Sequence, residues 1–493
     1  MILLYNPRSC RSKYRLPNSL LSLGSVIEGK YDYEIVDGNF LSDPLPAISQ
    51  MVSKKKIDLV GITVMPGPQL QEAIPLSREL KRRFPSLIVV WGGYFPSNHT
   101  EVCARSPYVD FVIRGQGECA FPALLEAIFD KRTALGSVPN LSYKTGEVLT
   151  HNKSAALIQP DELPSLPYNR IDVHRYIGKT YLGSRTLSYH SSYGCPFECG
   201  FCAIVPIYKA RWLGRSGEKM ADDIEKLIRD YSSNAIEFHD NNFFTSEKRT
   251  IEFSEEILRR GLRFGWWGEG RPDTLLKYSE EAFALMKRAG LKMVFMGAES
   301  GDDDTLISMN KGGMQTGETI VKAVEKFKRH GIIPECSFVF GALSKDTGSS
   351  IEREINFIYL LKDRNPETEI IMYIYSPIPL DGASLYQQVT ASGFRYPETL
   401  EDWLKPEWAT FDLRRNPMTP WITDRHLRRV KNFEKVLNAA FPTNSDIKLK
   451  PFQRAALKTV GSWRYATHVY RFPYEIQILQ RLFRYRQPEI EGM

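Results

Sequence analysis

The sequence predicts an α/β fold in two successive parts, a doubly wound parallel sheet followed by an open (β/α)6 partial barrel, with a mostly helical region after them. Three observations carry that prediction. Unbroken apolar runs alternate with amphipathic helical patterns from residue 2 to about 130, the same alternation resumes between 186 and about 395, and from about 396 it gives way to irregular and then helical patterning. Apolar runs without polar interruption suit strands buried on both faces, which is the situation of a parallel sheet covered by its own crossover helices.

In the first part, residues 1–135, Ile2–Tyr5 reads as the first strand, and Leu20, Leu21, Leu23 and Val26 mark a helix. Tyr33–Asp37 is the second strand and Leu59–Val64 the third, followed by a helix through Ala73, Leu76 and Leu80. Leu87–Gly93 is the fourth strand and Phe111–Gly115 the fifth, with a helix through Phe121, Leu124 and Leu125. Such sheets bind ligands beyond the carboxyl ends of their strands. Those ends are Thr63 on the third strand, Gly92 and Gly93 on the fourth, and Gly115, Gln116, Gly117 and Glu118 after the fifth. Glycine there lets a ligand approach the backbone closely, although any one of them also suits an ordinary strand–helix turn. No G-x-G-x-x-G follows the first strand, which argues against a Rossmann dinucleotide site. Residues 136–185, with Pro139, Pro160, Pro164 and Pro167, read as a linker containing a small hairpin around Lys144–Glu147.

In the second part, residues 186–395, strands are expected at Leu187–His190, Ala235–His239, Arg263–Trp267, Met293–Ala298, Cys336–Phe340 and Ile370–Tyr375. Helices are expected around Asp222–Asp230, Ser246–Arg260, Glu280–Ala289, Glu318–His330 and Ser350–Lys362. Functional residues of a barrel lie where its strands end. Asp240-Asn241-Asn242 follows the second of these strands, Glu269-Gly270-Arg271 the third, and Gly297 to Gly301 the fourth.

The densest chemistry follows the first barrel strand. Cys195, Cys199 and Cys202 are spaced C-x3-C-x2-C, with Gly194 and Pro196 breaking the backbone around the first. Three thiolates on one short loop suit an iron–sulfur cluster, and three ligands on four irons leave one iron open to a substrate or cofactor. Structural zinc usually takes four ligands in separated pairs, whereas Cys10, Cys103, Cys119 and Cys336 are scattered singly.

With Phe201 before its last cysteine, this loop resembles the signature of the radical SAM superfamily. The resemblance implies a 4Fe-4S cluster on Cys195, Cys199 and Cys202 whose open iron holds the amino and carboxylate groups of S-adenosylmethionine. An electron from the cluster then splits that cofactor into methionine and a 5′-deoxyadenosyl radical. The open (β/α)6 barrel is also that family's fold. By the same resemblance Phe201, Asp240, Arg271, Gly297, Glu299 and Ser300 are candidates for contacting S-adenosylmethionine. Glu299 would accept from its amino or ribose groups, and Arg271 would pair with its carboxylate. Glu299 and Arg271 also read as a mutual or surface ion pair, Asp240 as a helix cap, and His190 and His239 as core or supporting residues.

The strand ends of the first part resemble the cobalamin-binding domain that precedes many radical SAM domains. Thr63, Gly92, Gly93, Gly115, Gly117 and Glu118 are then the cobalamin candidates. One departure stands out: the Asp-x-His-x-x-Gly motif that ligates cobalt is missing, and the chain reads Asp37-Gly38-Asn39-Phe40 after the second strand. The combined resemblance implies a cobalamin-dependent radical SAM enzyme, a methyltransferase acting on an unactivated carbon of a small-molecule or lipid-like substrate. An electron donor such as flavodoxin or ferredoxin would serve it. Oxidative cyclisation or rearrangement, as in the anaerobic porphyrin-ring cyclase, is the alternative. A non-enzymatic cobalamin-binding regulator is a further one, which the three-cysteine loop argues against.

Composition bounds the rest. The chain has 493 residues, 42% apolar and 25% charged, the profile of a globular protein with room for full cores. No apolar run reaches the roughly 18 residues of a membrane span, and the start Met1–Pro7 reads as a strand rather than a signal peptide. Seven cysteines, an odd number, do not suggest a disulfide scaffold and fit a reducing cytoplasm. The net charge of +7 is uneven: residues 411–493 hold 16 Lys plus Arg against 7 Asp plus Glu, a net +9, which leaves the remainder at −2. Residues 396–493 read as a helical cap with a solvated basic face. The alternative is peripheral contact with anionic lipid through Arg481, Arg484 and Arg486 beside Leu479, Leu482 and Phe483. No nucleic-acid-binding motif accompanies the charge.

Overall fold

The computed structural model describes residues 1–9, 14–311, 314–342, 345–409, 411 and 418–483. The chain divides into two compact units. One comprises Met1–Tyr176, Pro206–Arg215 and Arg395–Asp412, and the other Ile177–Val205, Ser216–Phe394 and Leu413–Met493.

The first unit is built on a sheet of β1 (Ile2–Asn6), β2 (Tyr33–Asp37), β3 (Leu59–Thr63), β4 (Ile88–Gly92), β5 (Phe111–Ile113), β6 (Leu141–Thr145) and β7 (Val148–His151), ordered β2-β1-β3-β4-β5-β6-β7. The first five strands pair in parallel, and the expected hairpin adds β6 and β7 in antiparallel register. β1 lies between β2 and β3 and is wholly buried, which explains its unbroken apolar run. Of this unit's helices that escaped the sequence reading, the longest is Pro44–Lys55. It buries only Ile48 and Val52, too sparse a stripe to register as periodic. Asp43 caps its first turn, accepting from the Leu45 amide at 3.2 Å. Residues 395–411 belong to this unit as well. There the Trp403 ring packs on Phe95 at 5.0 Å and on Trp408 at 4.9 Å between centroids.

The second unit carries an open, all-parallel sheet of β8 (Thr186–Tyr189), β9 (Ala235–Phe238), β10 (Gly265–Gly270), β11 (Leu291–Glu299), β12 (Ile333–Phe340) and β13 (Glu369–Ile374), ordered β13-β12-β11-β10-β9-β8. β10 lies further along the chain than the expected Arg263–Trp267. Its Gly-Trp-Trp-Gly-Glu-Gly sequence looks like a strand that stops at Gly268, but the two later glycines admit rings instead of ending the strand. A Cβ on Gly268 would stand 3.3 Å from the Phe243 ring, and one on Gly270 would stand 3.0 Å from the Phe244 ring.

Helices Asp424–Ala440, Pro451–Ala466 and Tyr474–Leu482 complete this unit. Gly461 lets the first two touch, since a Cβ there would be 2.5 Å from the Ala440 nitrogen. Tyr359 anchors the group by stacking on Tyr465 at 4.1 Å and on His468 at 4.5 Å. None of the described helices is long and apolar enough to cross a membrane.

Candidate functional site

The site begins at the carboxyl end of β8. The chain passes through Ser191 and Ser192, and Gly194 turns it at φ +75° before Cys195. Asp240, just past β9 and fully buried, accepts from the Ser191 amide at 3.1 Å, the Ser191 hydroxyl at 2.7 Å and the Ser192 hydroxyl at 2.5 Å. Arg249 donates to the Ser191 carbonyl at 3.3 Å and to the Phe243 carbonyl at 3.1 Å. The carboxylate of Asp240 is thereby engaged in fixing the entry to the cysteine loop.

The loop itself is tied to the segment after helix Asp303–Ser308. The Gly200 amide donates to the Met309 carbonyl at 2.8 Å, and Asn310 donates to the Glu198 carbonyl at 2.6 Å. Within the loop the Cys202 amide donates to the Cys199 carbonyl at 3.1 Å. Arg271, at the end of β10, makes a two-pronged pair with Asp273 at 2.9 and 3.0 Å. It also reaches the Cys199 sulfur at 3.6 Å and lies 3.9 Å over the Phe197 ring. Asn242 donates to the Cys195 sulfur at 3.8 Å, while its own buried Oδ1 has no hydrogen-bond partner.

β11 supplies the other half. A register shift between Gly297 and Glu299 marks a bulge, and Glu299 sits at φ +65°, an unusual conformation for a residue with a side chain. Its carboxylate accepts from Lys311 at 2.7 Å and from the Ser337 hydroxyl at 3.2 Å. Lys311 also donates to the Gly297 carbonyl at 2.5 Å and stands 5.8 Å from the centre of the Phe201 ring. A Cβ on Gly297 would meet Lys311 Nζ at 2.6 Å and Glu299 Oε1 at 2.5 Å, so glycine leaves room for this pair as it stands. Ser300 donates to Glu354, and the Gly301 amide donates to the other oxygen of Glu354 at 2.8 Å. The mutual or surface pair considered for Glu299 and Arg271 is not what forms, since each has its own buried partner. Lys311, Asp273 and Glu354 were missed because nothing local marks a residue whose partner lies across the fold.

The electrostatics of the loop hold its buried thiols neutral. Burial pushes the Cys199 thiol up, against the lowering pull of Lys311 and Arg271. Burial also pushes Cys202 up to about 12. Left alone these are neutral thiols, so ligation must expel their protons, and two nearby cations compensate the charge that results. Among the described residues no three His, Cys, Asp or Glu side chains converge as a single metal ion would require. A cubane spreads its thiolates over different irons and does not require such convergence. The donor set, the two cations and the orphaned Asn242 oxygen therefore fit a cluster with a polar ligand beside it.

Glu354 yields a pH prediction. Burial raises its carboxyl to about 7, against the hydrogen bonds from Ser300 and the Gly301 amide. The folded state thus holds this proton more tightly than the unfolded chain does. The stability it contributes is full below the ordinary carboxylate range and is lost as pH rises toward 7. Glu354→Gln should flatten the fall in thermal midpoint between about pH 5 and pH 7.5. An unchanged slope in the variant would show that another group sets it.

The sheet of the second unit has a polar face that the sequence reading passed over. His239 pairs with Glu237 at 3.3 Å, Trp267 Nε1 donates to Glu335 at 3.1 Å, and the His239 ring lies 5.3 Å from Trp267 and 6.2 Å from His190. On the opposite face Phe238 and Trp266 pack against Phe253. The available signal was a polar side chain at every second position, Glu237 and His239 on one strand and Trp267 and Glu269 on the next.

In the first unit Thr63, Gly92, Gly93 and Gly115 line the carboxyl edge of the sheet. Gly93 adopts φ +96° and Gly115 φ +65°. Ser97 joins the two ends by donating to the Gly93 carbonyl at 2.7 Å and accepting from the Gly115 amide at 2.9 Å. Ser19 and Thr63 bring their hydroxyls to 3.5 Å at the same edge. Small residues and hydroxyls thus gather at this edge. Gly117 and Glu118 serve packing. A Cβ on Gly117 would meet Leu23 at 3.0 Å, and buried Glu118 accepts from Ser22 at 2.5 Å. Asn39 is held by Asp37, to which its side chain donates at 2.8 Å, and it accepts from the Ser9 amide at 2.9 Å.

A thiol loop at the mouth of an open six-stranded parallel barrel, on the same chain as a parallel sheet with a glycine-rich carboxyl edge, defines a cobalamin-type radical enzyme. Comparison with known proteins agrees. The radical SAM superfamily model matches residues 189–358, and the B12 binding domain model matches residues 16–125. Residues 189–358 thus carry a radical SAM domain and residues 16–125 a B12-binding domain, the combination of a cobalamin-dependent radical SAM enzyme. Its cofactors are accordingly a 4Fe-4S cluster, S-adenosylmethionine and cobalamin. It is 29% identical to an uncharacterized methyltransferase of Pyrococcus horikoshii over 69% of this chain and 72% of that one. It is 25% identical to the anaerobic magnesium-protoporphyrin IX monomethyl ester cyclase of Synechocystis sp. over 76% of this chain and 74% of the other. The structure of OxsB, a cobalamin-dependent S-adenosylmethionine radical enzyme with aqua-cobalamin and S-adenosylmethionine bound, superposes with a TM-score of 0.72 at 17% identity. That match covers 98% of this chain and 75% of OxsB.

Proposed function

We propose that the protein transfers a methyl group to an unactivated carbon of a small-molecule substrate. The observation that carries this reading is the pairing on one chain of the clamped Cys195–Cys202 loop with a B12-binding unit, in a protein whose relatives include a methyltransferase. When bound, the cluster with S-adenosylmethionine supplies hydrogen-atom abstraction and cobalamin supplies the methyl group. The chain's own residues position these groups. Cys195, Cys199 and Cys202 hold the cluster, and Arg271 and Lys311 balance its thiolates. Gly297, Glu299 and Ser300 present the end of β11 to S-adenosylmethionine, with Phe201 beside Lys311. Asp240 keeps the loop entry rigid. Thr63, Gly92, Gly93 and Gly115 border the corrin. The polar face of Glu237, His239, Trp267 and Glu335 is the proposed seat of the substrate. A flavodoxin or ferredoxin as electron donor and a reducing cytoplasm belong to the same reading, and the free cysteines suit the second.

Anaerobic turnover with candidate metabolite extracts tests the proposal. A product heavier by one methylene, together with 5′-deoxyadenosine, is the expected result. 5′-Deoxyadenosine with a product lighter by two hydrogens would instead establish oxidative cyclisation, the reading that the similarity to the Synechocystis cyclase favours.

No histidine should ligate cobalt from the second strand's end, since that position is Asn39 with its side chain already engaged. Electron paramagnetic resonance of the cob(II)alamin form should lack superhyperfine splitting from a protein nitrogen. Splitting that disappears on substituting one histidine would refute this.

The lipid contact considered from the sequence falls on helix Tyr474–Leu482 and the residues after it. Leu482 is 71% exposed and Ile478 55%, but Leu479 and Phe483 are half-buried, the latter against Phe452 at 6.2 Å. Arg484 and Arg486 lie outside the described residues.

A further inference from the structure

We propose that a groove in the second unit, remote in sequence from the cysteine loop, is a binding site for a ligand bearing a diphosphate group. The groove has a volume of about 770 Å³ and is bordered by helix Thr347–Arg364, helix Asp424–Ala440 and the turn at Tyr470–Phe472. That size suits a small molecule rather than a membrane or a protein face. Arg425, Arg428, Arg429 and Arg471 line it, and the acidic lining residue is Glu352. Glu352 is engaged by Arg429 in a two-pronged pair at 2.7 and 2.6 Å. Among the described residues Arg425, Arg428 and Arg471 make no ion pair, and Arg425, Arg428 and Arg471 are exposed. Three guanidinium groups facing one concavity repel each other, and an anion of more than one charge relieves that repulsion. The forked donors of arginine match phosphate oxygens two at a time.

The groove is constructed rather than incidental. Its far wall is a turn whose carbonyls point at one buried guanidinium. Arg464 donates to the carbonyls of Val469 at 3.2 Å, Arg471 at 2.9 Å and Phe472 at 3.1 Å, and pairs with Glu475 at 2.9 Å. Phe472 is held at φ +51° and left 65% exposed beside Arg471. Arg429 lies 4.4 Å over the buried Tyr470 ring and so fixes the floor. Both bordering helices start at the groove, with Gly348 near one N-terminus and Arg425 and His426 near the other, so backbone dipoles add to the positive field.

The test is calorimetric titration of the anaerobically prepared full-length holoenzyme with inorganic pyrophosphate at low and high salt. Binding should be tighter than that of sulfate at equal ionic strength and should weaken as salt rises. The double variant Arg425→Ser with Arg428→Ser should lose at least tenfold in affinity while keeping its iron and cobalamin content. Glu352→Gln, which frees Arg429, should bind pyrophosphate more tightly, so the proposal is tested even if the arginine variant folds poorly. A nucleoside diphosphate and a short prenyl diphosphate, titrated separately, distinguish a soluble source of the group from a lipid one. Pyrophosphate binding no tighter than that of sulfate, or unchanged in both variants, overturns the proposal. So does loss of binding to an acidic electron-transfer protein in the double variant while pyrophosphate binds nowhere.

Discussion

Replacing any one of Cys195, Cys199 or Cys202 by Ala should strip most of the iron from anaerobically purified protein and reduce 5′-deoxyadenosine formation to background. The expectation follows from the number of ligands: three thiolates are all the loop provides, and two cannot retain a cubane whose fourth iron has no protein ligand. The fold should survive, because the loop is held by bonds that involve no sulfur. Gly200 and Asn310 tie it to the backbone after helix Asp303–Ser308, and Asp240 holds its entry. Iron analysis, the visible absorbance and circular dichroism separate the two effects. A triple Ala variant that kept its iron and absorbance would remove the central assignment.

The second large effect concerns Lys311. Lys311→Met should destabilise the second unit by about 3–5 kcal/mol, the cost of leaving a buried charge without its partner. Glu299 would keep its hydroxyl donor Ser337 and lose its ammonium, while the Gly297 carbonyl would lose a donor as well. The double variant Lys311→Met with Glu299→Gln should recover most of that loss, because a neutral amide no longer needs a counter-charge. Thermal unfolding followed with and without S-adenosylmethionine is the measurement. The single variant should also bind that cofactor more weakly, since the bulge of β11 would lose its clamp. A loss below about 1 kcal/mol would mean that the pair is solvated and contributes as exposed pairs do.

The two cases differ in how far they could be read from the chain. The cysteine loop is local: three thiols, a glycine and a proline within a few residues carry their meaning wherever the loop is placed. Both sheets were legible for a similar reason. A parallel strand covered on two faces is apolar throughout, as β1 is in the sequence and in its burial. The helix Pro44–Lys55 was not legible because burying two residues leaves no period to detect. β10 was cut short because glycine signals a break in sequence and close packing in space, and only Phe243 and Phe244 decide between them.

By itself, then, the sequence determined the class of the protein: two parallel α/β parts, the cysteine loop, the glycine-rich strand ends and the missing cobalt histidine. Tertiary structure alone decided what each polar residue near the site does. It joined Arg271 to Asp273 and Glu299 to Lys311, turned Asp240 toward Ser191 and Ser192, brought Glu354 under Ser300, and placed Trp403 against Phe95. The physical reason is range. Strand patterning and ligand spacing are set by neighbours along the chain, whereas a buried charge is defined by whichever partner the fold brings within hydrogen-bond distance, and that partner leaves no mark beside it in the sequence.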